Sequence, residues 1–269
     1  MHQPLLDATA TPLHGTQRHS IFGVEFSTWS LDRLVDTIVD EPVPTGAGLR
    51  LLVTANLDHI VNLTRSAGFR AAYRYAWLAV IDGTPVWLYA RLRGLDIAGR
   101  VTGADLFPAI LARLQPGPHR PFLVCSTEAS AAALRQKLAG LGFDDPQSVV
   151  VAPLGFEHDL DYGLRLLRTL RERRITHLFF GIGAPKSEIW MDRHRAELPD
   201  CYGFGFGAGL DFFAGTKRRA PPILRRMGVE FLWRVATEPR RLARRYFVSS
   251  WIFLRAVALD LAGKPLEPR

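Results

Sequence analysis

The chain has 269 residues, 48% of them apolar and 22% charged, a balance that excludes intrinsic disorder and suits one large domain, or one domain with an appendage. Its two cysteines, Cys125 and Cys201, form no CxxC pair or His/Cys cluster, which argues against a disulfide framework or zinc site and for a reducing cytosol. The net charge is +8, and all of it is accounted for by ten Lys or Arg against two Glu between Lys217 and Arg245; a neutral body with one basic end calls for a polyanionic or membrane partner there.

Residues 1–20 lack the apolar core of a signal peptide and read as a loose arm. Ile21 to Phe26 is a short strand, and Thr28 or Ser30 caps a helix to about Val39. Leu49 to Val53 reads as a buried strand, ending at Asn56, which caps a helix over about Leu57 to Trp77. Leu78 to Ile81 is a second buried strand, closed by Asp82-Gly83-Thr84, and Pro85 opens a helix to Leu92. A loop over Arg100 to Asp105 leads into a helix ending near Leu114. Phe122 to Cys125, Ser148 to Ala152, Thr176 to Phe180 and Tyr202 to Phe206 read as further strands, with helices over 128–141, 160–173 and up to about Leu198. Strands and helices alternate, and several strands are apolar on both faces. This predicts an α/β fold: a Rossmann-like parallel sheet with helices on both faces, covering 21–215. Residues 216–269 then form a basic helical appendage, broken at Pro239. Its aromatic cluster (Tyr246, Phe247, Trp251, Phe253) beside arginines suggests an interfacial membrane segment rather than a span, since the longest apolar run, Tyr246 to Ala262, contains Arg255 and Asp260. A neutral, self-sufficient body further predicts that a chain cut after Gly215 still folds.

Ligands of such sheets bind beyond the carboxyl ends of the strands, which is where Thr54, Asn56, Asp82, Gly83, Lys186, Glu188 and Asp211 fall. Asp82 can serve as a general base or as an Asx-turn, and position alone leaves both open. Gly181-x-Gly183-x-Pro-Lys186 can cradle phosphate on backbone N–H groups or be a plain strand-to-helix turn; it matches neither a dinucleotide nor a Walker A fingerprint. The glycines from Gly203 to Gly209 also miss the dinucleotide spacing and suit close backbone packing. Asp159-Leu-Asp161 looks like a metal-binding Asp-x-Asp, but its place at a helix start favours capping. His177 reads as structural.

Four stretches together resemble the WecG/TagA/CpsF glycosyltransferase family: Val53-Thr-Ala-Asn56; Ile81-Asp-Gly-Thr-Pro-Val-Trp87 with Arg100-Val-Thr-Gly-Ala-Asp105; Gly181-Ile-Gly-Ala-Pro-Lys-Ser-Glu-Ile-Trp190; and Gly207 to Pro221, continuing through Glu230-Phe-Leu-Trp-Arg234 and Glu238-Pro-Arg-Arg241. The likeness runs from about Ile21 to Phe247. It implies an inverting transferase that needs no metal or other cofactor and moves a sugar from a UDP-sugar to a polyprenyl-diphosphate-linked sugar, working in surface polysaccharide assembly. Such an enzyme is expected in the cytoplasm, peripheral on the inner face of the cell membrane, with an anionic membrane surface as a partner. By this resemblance Asp82 is the base and Thr54 and Asn56 position substrate beside it. Gly83, Thr102, Gly103, Asp105, Gly183, Lys186, Ser187, Glu188, Asp211 and Arg219 join them as substrate-binding candidates, and Arg234, Arg241 and Arg244 are expected to reach a diphosphate. Ser187 stands where many relatives have Gln, a departure that bears on the donor. Homo-oligomerisation is left open. Two other classes compete: a nucleic-acid-binding protein, suggested by a pI near 10.0 but lacking any nucleic-acid motif, and a nucleotide-dependent oxidoreductase, which lacks the dinucleotide fingerprint.

Overall fold

The computed structural model describes residues 18–266 apart from 98, 227, 229, 231, 232, 234, 235, 237 and 238, with backbone alone at 18, 19, 226 and 239–247. An antiparallel hairpin of β1 (Arg18–Ile21) and β2 (Val24–Ser27) comes first. Then follow α1 (Leu31–Asp40), β3 (Leu49–Ala55), α2 (Leu57–Arg65), α3 (Ala67–Arg74), β4 (Leu78–Ile81), α4 (Thr84–Leu92) and α5 (Gly103–Leu111). The second half supplies β5 (Pro121–Cys125), α6 (Glu128–Gly140), β6 (Val149–Val151), α7 (Leu160–Glu172), β7 (His177–Phe180), α8 (Lys186–Arg193), β8 (Cys201–Gly205) and α9 (Ala208–Ala214). The chain closes with α10 (Pro222–Arg226) and a helix over Pro239–Leu261, here α11.

The six strands β3 to β8 form one parallel sheet in the order β4-β3-β8-β7-β5-β6. Alternate residues of each strand feed two cores. Leu51, Val53, Ile81, Val124 and Phe180 meet α2, α3, α4, α7, α8 and the end of α11 on one face. Leu52, Val80, Leu123, Phe179 and Phe204 meet α1, α5, α6 and α9 on the other. This is the doubly covered parallel sheet expected from strands apolar on both sides. Neighbouring β3 and β8 send their following helices to opposite faces, α2 to the first and α9 to the second, which opens a crevice at their carboxyl ends.

Two local expectations change. The strand expected over Ile21 to Phe26 is a hairpin instead, because Phe22 and Gly23 both take positive φ, 58° and 71°, and reverse the chain in two residues. The helix expected over Leu57 to Trp77 breaks at Ser66, whose hydroxyl accepts from the Phe69 N–H at 3.2 Å and starts α3 anew. The capping reading of Asp159 holds, since it accepts from the Tyr162 N–H at 2.8 Å. His177 is buried between strands, bonded to the Ile38 carbonyl at 3.0 Å and kept neutral by burial.

The glycines of β8 act as spacers. A Cβ on Gly203 would lie 2.6 Å from the Leu49 side chain, and one on Gly205 2.5 Å from a carboxylate oxygen of Glu188. Their absence lets α8 settle onto the sheet.

The far end of α11 is part of the body. Phe253 and Ala256 lie in the same core as α2 and α4, with the Phe253 ring 5.8 Å from that of Phe22. Asp260 accepts from the Phe22 N–H at 2.5 Å, the Tyr89 hydroxyl at 2.6 Å and Arg93 at 2.7 Å. A chain cut after Gly215 therefore loses core side chains, which revises the expectation of a self-sufficient 21–215 unit. Among the described residues no helix is long and apolar enough to cross a membrane.

Candidate active site

The candidate site forms where β4 ends. The Asp82 and Gly83 N–H groups both donate to the Ala55 carbonyl, at 2.9 and 3.1 Å, so the β3–β4 pairing continues past the last strand residue. On the other side the Val101 N–H donates to Ile81 at 2.8 Å and draws the 100–105 loop alongside. The Asp82 carboxylate accepts from the Gly103 N–H at 3.3 Å. It thus sits at the amino end of α5, where the helix dipole favours negative charge.

Glycines make this approach feasible. A Cβ on Gly83 would stand 2.9 Å from the Asn56 Cα, and one on Gly103 2.7 Å from the Phe206 ring. The Asp82 and Asn56 turns therefore pack backbone to backbone, and the amino end of α5 packs on the Phe206 ring just after β8. Asn56 caps α2, its side-chain oxygen accepting from the His59 N–H at 3.2 Å, and Thr54 is buried at the end of β3.

The basic segment returns to this same place. Arg219 donates to Asp105 at 2.7 Å, to the Ala104 carbonyl at 3.2 Å and to the Thr102 hydroxyl at 3.2 Å. Arg225 lies 3.7 Å from Asp105, and its carbonyl accepts from Arg100 at 3.0 Å. Gly228, at φ 74°, packs so tightly on Thr84 that a Cβ would come within 2.8 Å. Burial alone would raise the Asp105 pKa, but the bonds from Arg219 and Thr102 outweigh it and hold the carboxyl below its ordinary range. Arg219 and Arg225 each keep a buried Nε without a hydrogen-bond partner.

Asp82, Gly83, Asn56, Thr54, Thr102, Gly103, Asp105 and Arg219 are thus brought together. Gly183 lies near Gly207 in the next turns along the sheet, with open space where its Cβ would be. Lys186 pairs with Glu157 at 2.6 Å. Ser187 is fully buried and donates to the Ile182 carbonyl at 2.8 Å, so its hydroxyl shapes the loop. Asp211 is also buried, on the opposite face. It accepts from Ser130 at 2.7 Å and from Lys217 at 2.6 Å, and so pins the start of the basic segment. Arg234 lies outside the described residues, as do the side chains of Arg241 and Arg244.

Glu188, a substrate-binding candidate in the sequence, is buried, and its neighbours His59 and Tyr73 were not anticipated there. Glu188 is 1% exposed, and one oxygen lies 3.9 Å from His59 Nε2. His59 Nδ1 is 2.7 Å from the Tyr73 hydroxyl. Burial lifts the Glu188 pKa to about 8 and drops that of His59 to about 4. The single hint available was His59 three residues after a capping Asn. A cavity of about 810 Å³ between the hairpin, α3 and Gly263 to Leu266 lies by the start of β4 and not at this site.

A carboxylate at a parallel strand end, with arginines of a returning basic segment near it, can serve group transfer between hydroxyl and phosphate-bearing substrates. The comparisons agree. A model described as the glycosyl transferase WecG/TagA/CpsF family matches residues 19–265. Proteins named N-acetylglucosaminyldiphosphoundecaprenol N-acetyl-beta-D-mannosaminyltransferase, from Staphylococcus aureus strains NCTC 8325, COL and N315, are each 25% identical over 233 residues, covering 85% of this chain and 88% of theirs. The chain belongs to the WecG/TagA/CpsF family and is a glycosyltransferase. Neither the nucleic-acid-binding nor the oxidoreductase alternative has support in these relatives.

Proposed function

We propose that the chain transfers an N-acetylhexosamine-type sugar from a UDP-sugar to a sugar carried on a polyprenyl diphosphate, with inversion at the anomeric carbon. The observation that carries this reading is the Asp82 carboxylate at the β4 end with Arg219 and Arg225 drawn in beside it through Asp105. Asp82 takes the proton of the acceptor hydroxyl, and the freed oxygen attacks the anomeric carbon from the face opposite the diphosphate. The carbon–oxygen bond to UDP breaks as the new bond forms, which inverts the centre. Asn56 and Thr54 position substrate beside the base. Arginine cations meet the charge on the departing diphosphate in place of a metal, a role for which Arg234, Arg241 and Arg244 are candidates along with Arg219. The name of the staphylococcal relatives makes N-acetylglucosaminyl-diphospho-undecaprenol the first acceptor to try and UDP-N-acetylmannosamine the first donor.

The membrane part of the reading is supported by the outer side of α11 and by α4. Val248, Trp251, Leu254 and Leu261 are exposed, as are Leu88 and Leu92, and such apolar groups beside a basic segment suit the headgroup region of an anionic membrane. The test is a transfer assay with a panel of UDP-sugars and a lipid-diphosphate-linked N-acetylglucosamine, run in EDTA. Transfer from one UDP-sugar, undiminished by EDTA, is expected. Dependence on added divalent metal, or transfer only from a donor other than a UDP-sugar, would overturn it.

A further inference from the structure

Arg225 is held near the proposed base by its backbone, while its side chain is left uncommitted. Its N–H donates to the Pro221 carbonyl at 3.2 Å. Its own carbonyl accepts from the Gly228 N–H at 3.1 Å and from the Arg100 guanidinium at 3.0 Å. Gly228 in turn is pressed onto Thr84, the first residue of α4. The guanidinium is in a different state. Its Nε is shielded from solvent and has no hydrogen-bond partner. Its ion-pair partner Asp105 stands 3.7 Å away, outside ordinary hydrogen-bond length.

Asp105 has nothing left to offer it. One carboxylate oxygen takes the bond from Arg219 at 2.7 Å, and the other accepts from the Thr102 hydroxyl at 2.7 Å. Arg219 is itself satisfied by Asp105, the Ala104 carbonyl and the Thr102 hydroxyl. Arg100, Arg219 and Arg225 thus outnumber the one carboxylate they share. A guanidinium has a fork of donors that matches a phosphate, and a shielded donor with no acceptor is costly. Fixed backbone, surplus positive charge and an unspent donor together describe a site prepared for an anion.

The reaction offers two candidates, the diphosphate of the donor and that of the acceptor. They differ in what lies beyond them, since the acceptor's diphosphate leads to the lipid. Arg225 has the right neighbours for the second. On one side it reaches Asp105, two residues along α5 from Gly103, whose N–H holds Asp82. On its own helix Ile223 is 69% exposed, and on α4 Leu88, one turn after Thr84, is also exposed. The order hydroxyl, sugar, diphosphate, lipid in the acceptor then follows the order base, cleft, arginine, apolar surface in the protein. We infer that Arg225, with Arg100 beside it, binds the diphosphate of the lipid-linked acceptor, and leaves the donor's diphosphate to other cations. This assignment rests on the reading of the chain as a transferase for lipid-linked sugars, and it gives that site its acceptor subsite.

The test uses the full-length protein and two probes, farnesyl diphosphate and UDP. Calorimetry should show farnesyl diphosphate binding to the wild type even when UDP is saturating. Arg225→Ala should weaken farnesyl diphosphate about tenfold or more, the scale of a hydrogen bond to a charged group, and leave UDP affinity within about twofold. Arg225→Lys keeps the charge and loses the fork, so it should fall between the two. Farnesyl monophosphate should bind the wild type and Arg225→Ala alike. In steady-state transfer Arg225→Ala should raise the acceptor KM and not the donor KM. Competition between UDP and farnesyl diphosphate for one site, a loss of UDP affinity in Arg225→Ala, or unchanged farnesyl diphosphate binding by folded Arg225→Ala and Arg225→Lys would each overturn the inference. Failure of the transferase reading shows separately, as a wild type that binds farnesyl diphosphate but transfers sugar to no lipid-linked acceptor.

Discussion

Arg219 and Asp105 meet at 2.7 Å, and that contact joins the basic segment to the loop whose Gly103 N–H holds Asp82. Arg219 also bonds the Thr102 hydroxyl that caps α5. The residue therefore links the basic segment to the geometry of the proposed base. Arg219→Ala is expected to lower kcat/KM at least tenfold. Both partners are partly exposed, so the pair itself contributes no more than about 1 kcal/mol to stability, and the melting temperature should hardly move. Steady-state kinetics beside a thermal melt separates the two; a fall in stability with intact catalysis would assign Arg219 a purely structural role.

Gly83→Ala probes the close approach of the Asp82 and Asn56 turns. Its Cβ would come 2.9 Å from the Asn56 Cα, and backbone cannot swing aside as a flexible side chain can. Overpacking of this kind costs about 1–3 kcal/mol, and the turn that yields carries Asp82. Activity should fall by more than tenfold, the scale expected when a reacting group is displaced by about 1 Å. Urea unfolding and transfer rates check both parts.

Glu188 makes stability depend on pH. Its folded pKa is raised to about 8 from an ordinary 4.5, so the protonated side chain is tolerated fully below pH 4.5. As pH rises from there to about 8, the unfolded chain loses its proton while the folded one keeps it, and stability drains away. The loss at high pH is at most about 5 kcal/mol, taking about 1.4 kcal/mol per unit over the rise from 4.5 to about 8. Glu188→Gln should remove this slope: relative to the wild type, it should gain stability between pH 5 and pH 8. Denaturant unfolding at the two pH values gives the comparison, and parallel losses in both proteins would count against it.

Phe253→Ala tests whether the end of α11 belongs to the body. Phe253 is buried against Phe22, and losing a buried Phe costs about 3–5 kcal/mol. Trp251→Ala, on the exposed side of the same helix, should leave the melting temperature within a degree or two while weakening binding to anionic vesicles. Equal stability losses from the two would mean that the outer face is also packed.

The parallel sheet was legible because its signals are local, and the strand-end position of the candidate residues was legible with it. β3, β4, β5 and β7 are largely apolar runs of four to seven residues, each closed by a polar or glycine-rich turn, and Asp82-Gly83 marks one such end. Ser66 hid in the sequence because a serine inside an amphipathic stretch caps a helix only if the backbone kinks there. The Phe22 turn was hidden for a similar reason, since a positive φ at phenylalanine is rare. His59, Tyr73 and Glu188 meet only after α2, α3 and α8 have packed, and no spacing in the chain encodes that meeting. Phe253 and Trp251, two residues apart on one helix, looked alike as aromatics; which of them faces the core depends on where Asp260 fastens the helix.

The central claim is that Asp82 takes the proton of the acceptor hydroxyl, and Asp82→Asn tests it most directly. The asparagine keeps the size of the side chain and removes its basicity. Single-turnover transfer by the variant, beside its melting curve, should show an unchanged melt and a rate about 10²–10⁴-fold lower. A folded Asp82→Asn that transfers sugar at the wild-type rate would contradict the account.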